Sequence, residues 1–354
     1  MPAESEYGKK IHFIKSLDGS IIFFVLLSII FSGCDKDPQL IESDYQLIVP
    51  AGFDAPEIPA DNPLTVEKIN LGKKLFYDPA LSVDSTISCN SCHKQEFAFG
   101  DHVAISEGVN HTVGFRNAPS LANVAWNPVM LKDGGNPNLE MQVYVPLETH
   151  FEMDFNMVLL VERLNQNQEY VQMFQNVFGK PIDPFGITRA ISAFERTLIS
   201  GNSKYDQYAY QGNASALNAS EINGMNLFFS DALNCSSCHN GYLFTDNSFQ
   251  NNGYFSDYSV DSGRARITLM HGDVGKFRVP SLRNIGLTAP YMHNGTVATL
   301  NELIEQYQKG GSGHENQSEK IHSFSLTENE KNDLINFLNT LTDESFINNV
   351  SFKE

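Results

Sequence analysis

The chain is poor in positive charge, long apolar runs, alternating strand patterns, tryptophan and cysteine, and each shortage removes a class of reading. Its 24 Lys and Arg stand against 42 Asp and Glu, a formal net charge of -18. Phosphate contacts need clustered Lys and Arg, so a nucleic-acid partner is excluded. A basic protein partner is permitted, although an acidic surface also serves solubility alone. The apolar run Ile21 to Phe31 (IIFFVLLSIIF) is about 11 residues, too short for a hydrocarbon core of roughly 30 Å. Strand-like alternation is scarce, which leaves little for a β architecture. There is one tryptophan, Trp126, and there are five cysteines. With 354 residues and 41% hydrophobic content the chain still has enough for two packed domains, and wholesale disorder is excluded.

Residues 1–34 read as an export signal rather than as fold. Lys9, Lys10 and Lys15 make a basic start, with Asp18 close to the apolar run. Ser32 and Gly33 then lead directly to Cys34. The run resembles a bacterial lipobox, in which the cysteine is lipidated and becomes the mature N-terminus; Phe31 departs from the Leu usual there. An ordinary signal peptide with an incidental cysteine is the plainer alternative. Either way the mature chain is expected on the periplasmic side of the cell envelope; by the lipobox reading it touches the membrane by its lipid anchor only. Residues 35–63, rich in Asp, Pro and Ala, read as a tether.

Removing Cys34 leaves four cysteines in two C-x-x-C pairs. In an exported protein the bland expectation is two disulfides; zinc, a redox dithiol and haem attachment compete with it. The next residue discriminates: both pairs run into histidine, as CNSCH (89–93) and CSSCH (235–239). His is about 3% of residues, so two such coincidences have a chance probability on the order of 10⁻³. Thiols three positions apart can add to the two vinyl groups of one haem, and the adjacent imidazole becomes the proximal iron ligand. Two zinc sites would each lack a fourth ligand at the usual spacing. The expectation is two haems c, held covalently by Cys89 and Cys92 and by Cys235 and Cys238, with His93 and His239 as axial ligands.

The surroundings repeat. LGKKLFYD (71–78) precedes the first motif and GMNLFFSD (224–231) the second. PSLANVAWNPVMLKDGG (119–135) matches PSLRNIGLTAPYMHNG (280–295), with equal spacing from Asn123 to Gly134 and from Asn284 to Gly295. Two copies about 160 residues apart indicate a duplicated domain rather than a solenoid. Helical spacing marks 158–178, 187–200, 299–308 and 327–341, the last opened by a capping box of Thr327 and Glu330. The expected fold is therefore mainly α, with two cytochrome c-like haem domains, 64–205 and 206–354. A linker over 200–214 (SGNSKYDQYAYQGNA) separates them.

The runs LGKKLFYDPALSVDSTISCNSCH, SEGV, GFRNAPSLAN, LEMQ and PLETHFEM resemble the bacterial di-haem cytochrome c peroxidases and MauG-type enzymes. So do GKFRVPSLRNIGLTAPYMHNG and LNELIEQYQKGG; the likeness covers roughly 64 to 342. It implies a cytochrome-c peroxidase, an oxidoreductase that reduces hydrogen peroxide with electrons from a small donor protein, a cytochrome c or a cupredoxin. A MauG-like oxidase and a plain electron carrier are the alternatives, and the resemblance also implies a homodimer.

By the same resemblance the first haem is the peroxide site. Its distal Glu falls on Glu152 of FEMD and its distal Gln on Gln142 of LEMQ. A glutamate there takes a proton from one peroxide oxygen and delivers it to the other. The position of a distal histidine in many members is taken by Val109, with His111 two residues on as a substitute ligand. The sixth ligand of the second haem falls on Tyr307, where ordinary peroxidases have Met and MauG has Tyr. Met292 competes, but reads as a packing residue duplicated from Met130; His293 reads as a structural hydrogen-bonding residue. A calcium ion between the domains maps to Asn117 and the carbonyls of Thr288 and Pro290, oxygen donors suited to a hard cation. One departure stands out: the inter-haem WDGR of the family is KDGG here, with Lys132 at the Trp position and Gly135 at the Arg position. Trp126 lies six residues earlier.

Overall fold

Thr65 opens the first long helix: its hydroxyl accepts from the Lys68 backbone N–H, and Val66–Tyr77 runs to Asp78, beyond which Pro79 cannot continue it. In the computed structural model, which describes residues 43–354, this helix packs on Pro184–Glu195. The approach is close. A Cβ on Gly72 would lie 1.8 Å from the Ala190 carbonyl oxygen, so only glycine fits there. The second half repeats the device: Ala219–Phe228 packs on Glu328–Asn339, and a Cβ on Gly224 would lie 1.9 Å from the Asp333 oxygen.

Each helix pair carries its own apolar core. The first gathers Leu71, Leu75, Phe76, Phe174, Ile191 and Phe194; the second gathers Phe228, Phe244, Leu334, Phe337 and Leu341. A fully buried Leu or Phe contributes roughly 1.5–3 kcal/mol. These cores therefore outweigh the two-residue antiparallel pairing of Phe249–Gln250 with Phe277–Arg278, the one sheet among the described residues. The described residues are helix-rich with little sheet, as expected, and contain no helix long and apolar enough to cross a membrane. The export signal, Cys34 and the first part of the 35–63 tether lie outside the described residues.

Several boundaries differ from the periodic pattern. The 158–178 stretch is two helices, Met157–Asn165 and Gln168–Phe178, because the Asn167 side chain accepts from the Glu169 N–H and starts a new helix. The helix expected over 187–200 ends at Glu195, whereas Thr327 and Glu330 form the expected capping box. Within residues 200–214 the first part is packed, whereas 211–214 are exposed. Lys204–Ala209 is a short helix, and Asp206 is fully buried against Arg283. The chain end also crosses back: Phe346 and Phe352 join the first core, and Tyr77 Oη donates to the Phe352 carbonyl at 2.8 Å.

Candidate haem sites

The two CxxCH motifs are built alike. Cys89–Cys92 forms one helical turn that brings the His93 N–H to the Cys89 carbonyl at 2.9 Å. Ala98 and Phe99 then both take left-handed backbone, which turns the Phe99 carbonyl onto His93 Nδ1 at 2.9 Å. In the second motif Asn234 is left-handed, and the His239 N–H reaches the Cys235 carbonyl at 3.0 Å. The Phe244 carbonyl meets His239 Nδ1 at 3.1 Å. A ring whose Nδ1 is held by a carbonyl keeps Nε2 for a metal. Burial pushes both imidazoles below their ordinary pKa, toward the neutral form that ligates iron.

All four cysteines are free thiols, so the disulfide alternative is not realised. Burial raises Cys89 and Cys92, and takes Cys235 to about 12, so neither pair is an activated dithiol. Among the described residues no group of three or more His, Cys, Asp or Glu converges to hold a bare metal ion. Two unpaired thiols beside a neutral, oriented histidine fit a covalent haem at each motif.

The loops beyond the motifs correspond in detail. Ser120 Oγ donates to the Ala98 carbonyl and Ser281 Oγ to the Leu243 carbonyl, both at 2.6 Å. Asn123 and Asn284 are both left-handed, and their N–H groups reach Leu198 and Leu341. The bridges Met130–Asn136 and Tyr291–Val297 match, which pairs Met130 with Tyr291. Leu131 and Met292 are both left-handed, at φ 66 and 74. This corrects one expectation: Met292 corresponds to Leu131, not to Met130, so the repeat does not account for it as packing.

The two sites differ in what faces them. The charge of Glu152 reaches both Cys89 and Cys92, which places it at the first motif. Its side chain has no hydrogen-bond partner among the described residues, and burial raises its pKa. Its carbonyl accepts from the Val109 N–H at 2.8 Å, so the 107–113 loop is tied to it. Val109 is 1% exposed, whereas the His111 side chain is 91% exposed and bonds Glu107 at 3.1 Å. His111 is thus a surface residue in this conformation and not a ligand. Gln142, on Leu139–Glu148, accepts from Asn136 Nδ2 at 3.0 Å.

At the second motif, Tyr307 and Met292 line one pocket with Asn252. Asn252 Nδ2 lies 3.4 Å from Met292 Sδ and 3.5 Å from the Tyr307 oxygen. Burial raises the Tyr307 phenol, against the lowering effect of its hydrogen bond with Asn252. Asn252 carried no signal in the sequence beyond sitting in an Asn-Asn-Gly turn.

Between the halves, Asn117 is buried; its N–H donates to the His293 carbonyl and its Nδ2 to the Val103 carbonyl. His293 stacks on Phe277 at 4.1 Å. Trp126 is half-buried, and its Nε1 donates to the Asp54 carbonyl at 2.8 Å. It meets Phe53 edge-on at 5.7 Å, and Phe53 in turn leans on Tyr242 at 4.7 Å.

A further carboxyl escaped the sequence reading. Glu195 is 8% exposed and its side chain has no hydrogen bond among the described residues, because neighbouring Arg196 is committed to Glu140 at 2.6 and 3.0 Å. Burial, reinforced by Glu140 and opposed by Arg196, lifts it to about 8. A carboxyl raised on folding stabilises the protein fully below its unfolded value and loses that contribution as pH rises through about 8. The slope between is about 1.4 kcal/mol per pH unit. Thermal unfolding between about pH 5 and pH 8 should be less pH-dependent in Glu195→Gln than in wild type; equal slopes would assign the effect elsewhere.

A helical chain with two such sites is a two-haem c-type protein. The family model for di-haem cytochrome c peroxidase matches residues 66–215. The chain is 36% identical over 294 residues to methylamine utilization protein MauG of Methylorubrum extorquens, covering 81% of each. It is also 36% identical over 252 residues to cytochrome c551 peroxidase of Nitrosomonas europaea, covering 70% of this chain and 75% of that one. Among solved structures, a MauG-like protein associated with microbial copper homeostasis superposes with TM-score 0.83 at 37% identity, covering 87% and 98% of the two chains. The chain belongs to the di-haem cytochrome c peroxidase family, which includes both peroxidases and MauG proteins.

Proposed function

We propose that this protein reduces hydrogen peroxide to water at the first haem, with electrons from a small redox protein entering at the second. The carrying observation is Glu152, a half-buried, unpartnered carboxyl at the first motif, where a mere electron carrier needs no acid. Haem iron, when bound, supplies the site that takes up peroxide and the electrons that cleave it. Glu152 supplies proton transfer: its raised pKa lets it take a proton from one peroxide oxygen and return it to the other, so that two protons and two electrons give two waters. His111, exposed and paired with Glu107, does not occupy that face.

Tyr307 favours a second reading, a MauG-like oxidase of a protein or small molecule. A phenolate is a hard anionic donor that stabilises ferric iron and lowers its potential relative to a thioether. Met292 shares the pocket, and Asn252 is placed to hold either. Calcium fits the seam: the Thr288 and Pro290 carbonyls accept no hydrogen bond among the described residues, and Asn117 keeps its side-chain oxygen free by donating through Nδ2. The duplication, the boundary near 205, export to the periplasm and the Cys34 anchor complete the proposal.

Turnover of the two-haem protein with peroxide and reduced cytochrome c separates the readings. Sustained oxidation of the donor, stoichiometric with peroxide, supports the peroxidase; negligible turnover beside a long-lived oxidised protein supports the oxidase.

A further inference from the structure

Arg278 is a guanidinium whose anion the chain does not supply. Each half carries a Phe-Arg pair just before its Pro-Ser-Leu, Phe115-Arg116 and Phe277-Arg278, and the two arginines have opposite fates. Arg116 forks Asp261 through Nε and Nη2, both at 2.7 Å, and reaches Asp133 through Nη1 at 2.7 Å. Arg278 reaches only amide oxygens, Asn247 at 2.9 Å and Asn127 at 3.4 Å, both through Nη1. Its Nε is buried with no partner, and its Nη2 makes no hydrogen bond among the described residues. The Nε–Nη2 edge, which grips a carboxylate with two parallel bonds, is open. A buried charge without a partner is costly.

Lys132 stands beside it. The Arg278 N–H donates to the Lys132 carbonyl at 2.7 Å. The Lys132 ammonium has no ion pair or hydrogen bond among the described residues; burial, then repulsion from Arg116 and Arg278, lowers it to about 8 against the pull of Asp261. The local acids are taken, because Arg116 holds both Asp133 and Asp261. His293 is no counter-ion: an imidazole is never an anion, and burial takes this one to about 4, so it is neutral. Two cations thus share one seam with no carboxylate left for them, in a protein of net charge -18. The seam adjoins the second haem site. Asn247 lies eight residues beyond His239, and the Pro280 carbonyl, two residues beyond Arg278, is close enough to the His239 ring to favour its charged form.

We propose that Lys132 and Arg278 form a carboxylate-binding site in the seam between the two halves, and that its occupant is a propionate of the second haem. This rests on the two-haem reading and not on peroxide being the substrate. The two cations favour the reduced haem, which carries one more negative charge. Lysine at the usual tryptophan position exchanges an aromatic relay for electrostatic control of the haem that receives electrons.

The test is an equilibrium redox titration of the two-haem protein, comparing wild type with Lys132→Met and Arg278→Lys in rising concentrations of acetate or phosphate. At the potential where the wild-type second haem is half reduced, Lys132→Met lowers its reduced-to-oxidised ratio about tenfold, as expected for one charge near the haem. Arg278→Lys, which keeps the charge but loses the fork, lowers it less. Neither anion changes the wild-type ratio. Unchanged ratios in both variants, with both haems attached, would overturn the site. A wild-type ratio that tracks acetate or phosphate would give it to a diffusible anion and overturn the propionate. Peroxide turnover does not enter this readout, so a failed peroxidase assay leaves it standing.

Discussion

Replacing Glu152 with Gln is expected to slow peroxide cleavage by about 10²–10⁴-fold, the range for loss of a positioned general acid–base, with both haems still attached. Glutamine keeps the size and polarity of the side chain, so Val109, which bonds the Glu152 backbone rather than its carboxyl, stays in place. What is lost is a group that can both take and give a proton. Burial raises the Glu152 pKa, so the carboxylate is easier to reprotonate than an exposed one and better matched to both halves of the transfer. Rapid mixing of ferric protein with peroxide, read at the haem absorbance, measures the step directly. A rate equal to wild type would remove Glu152 from the chemistry.

The second large effect concerns assembly. Arg283→Ala is expected to cost about 3–5 kcal/mol, because it strands a buried carboxylate. Arg283 Nη1 and Nη2 grip Asp206 at 2.8 and 2.7 Å, its Nε donates to the Tyr242 carbonyl at 2.6 Å, and the two side chains are 1% and 0% exposed. Phe53 lies against the guanidinium at 4.5 Å and Trp126 against Phe53, so the pair anchors residues from three segments. Denaturant unfolding of the two-haem protein reads the loss. The double change Asp206→Leu with Arg283→Met should recover much of it, since an apolar pair leaves no orphan charge. A single-variant loss below about 1 kcal/mol would show that the pair holds nothing.

The contrast between these residues shows what was legible in the sequence. CxxCH is local covalent chemistry, and its partners are built within six residues, so His93 and His239 could be placed before any fold was known. Helix caps are equally local, and Thr327 with Glu330 appeared as read. Within residues 200–214 the polar composition hides a buried acid, Asp206, whose partner Arg283 lies 77 positions away. Periodicity alone could not reveal that Phe346 and Phe352 return to the first core. The Met292 register slipped by one because PVM and PYM look alike, and only the matching bridges show Tyr291 standing for Met130. Asn252 and Glu195 were invisible for a different reason: their roles come from what surrounds them, not from their neighbours in sequence.

The central claim is that the two haems are inequivalent, one open for chemistry beside Glu152 and one closed by a ligand from the Tyr307 pocket. Electron paramagnetic resonance of the ferric protein tests it most directly. One high-spin and one low-spin signal are expected, with Tyr307→Phe altering only the low-spin one and Glu152→Gln removing neither. Two low-spin signals in the resting protein, or a high-spin signal that changes with Tyr307, would contradict it.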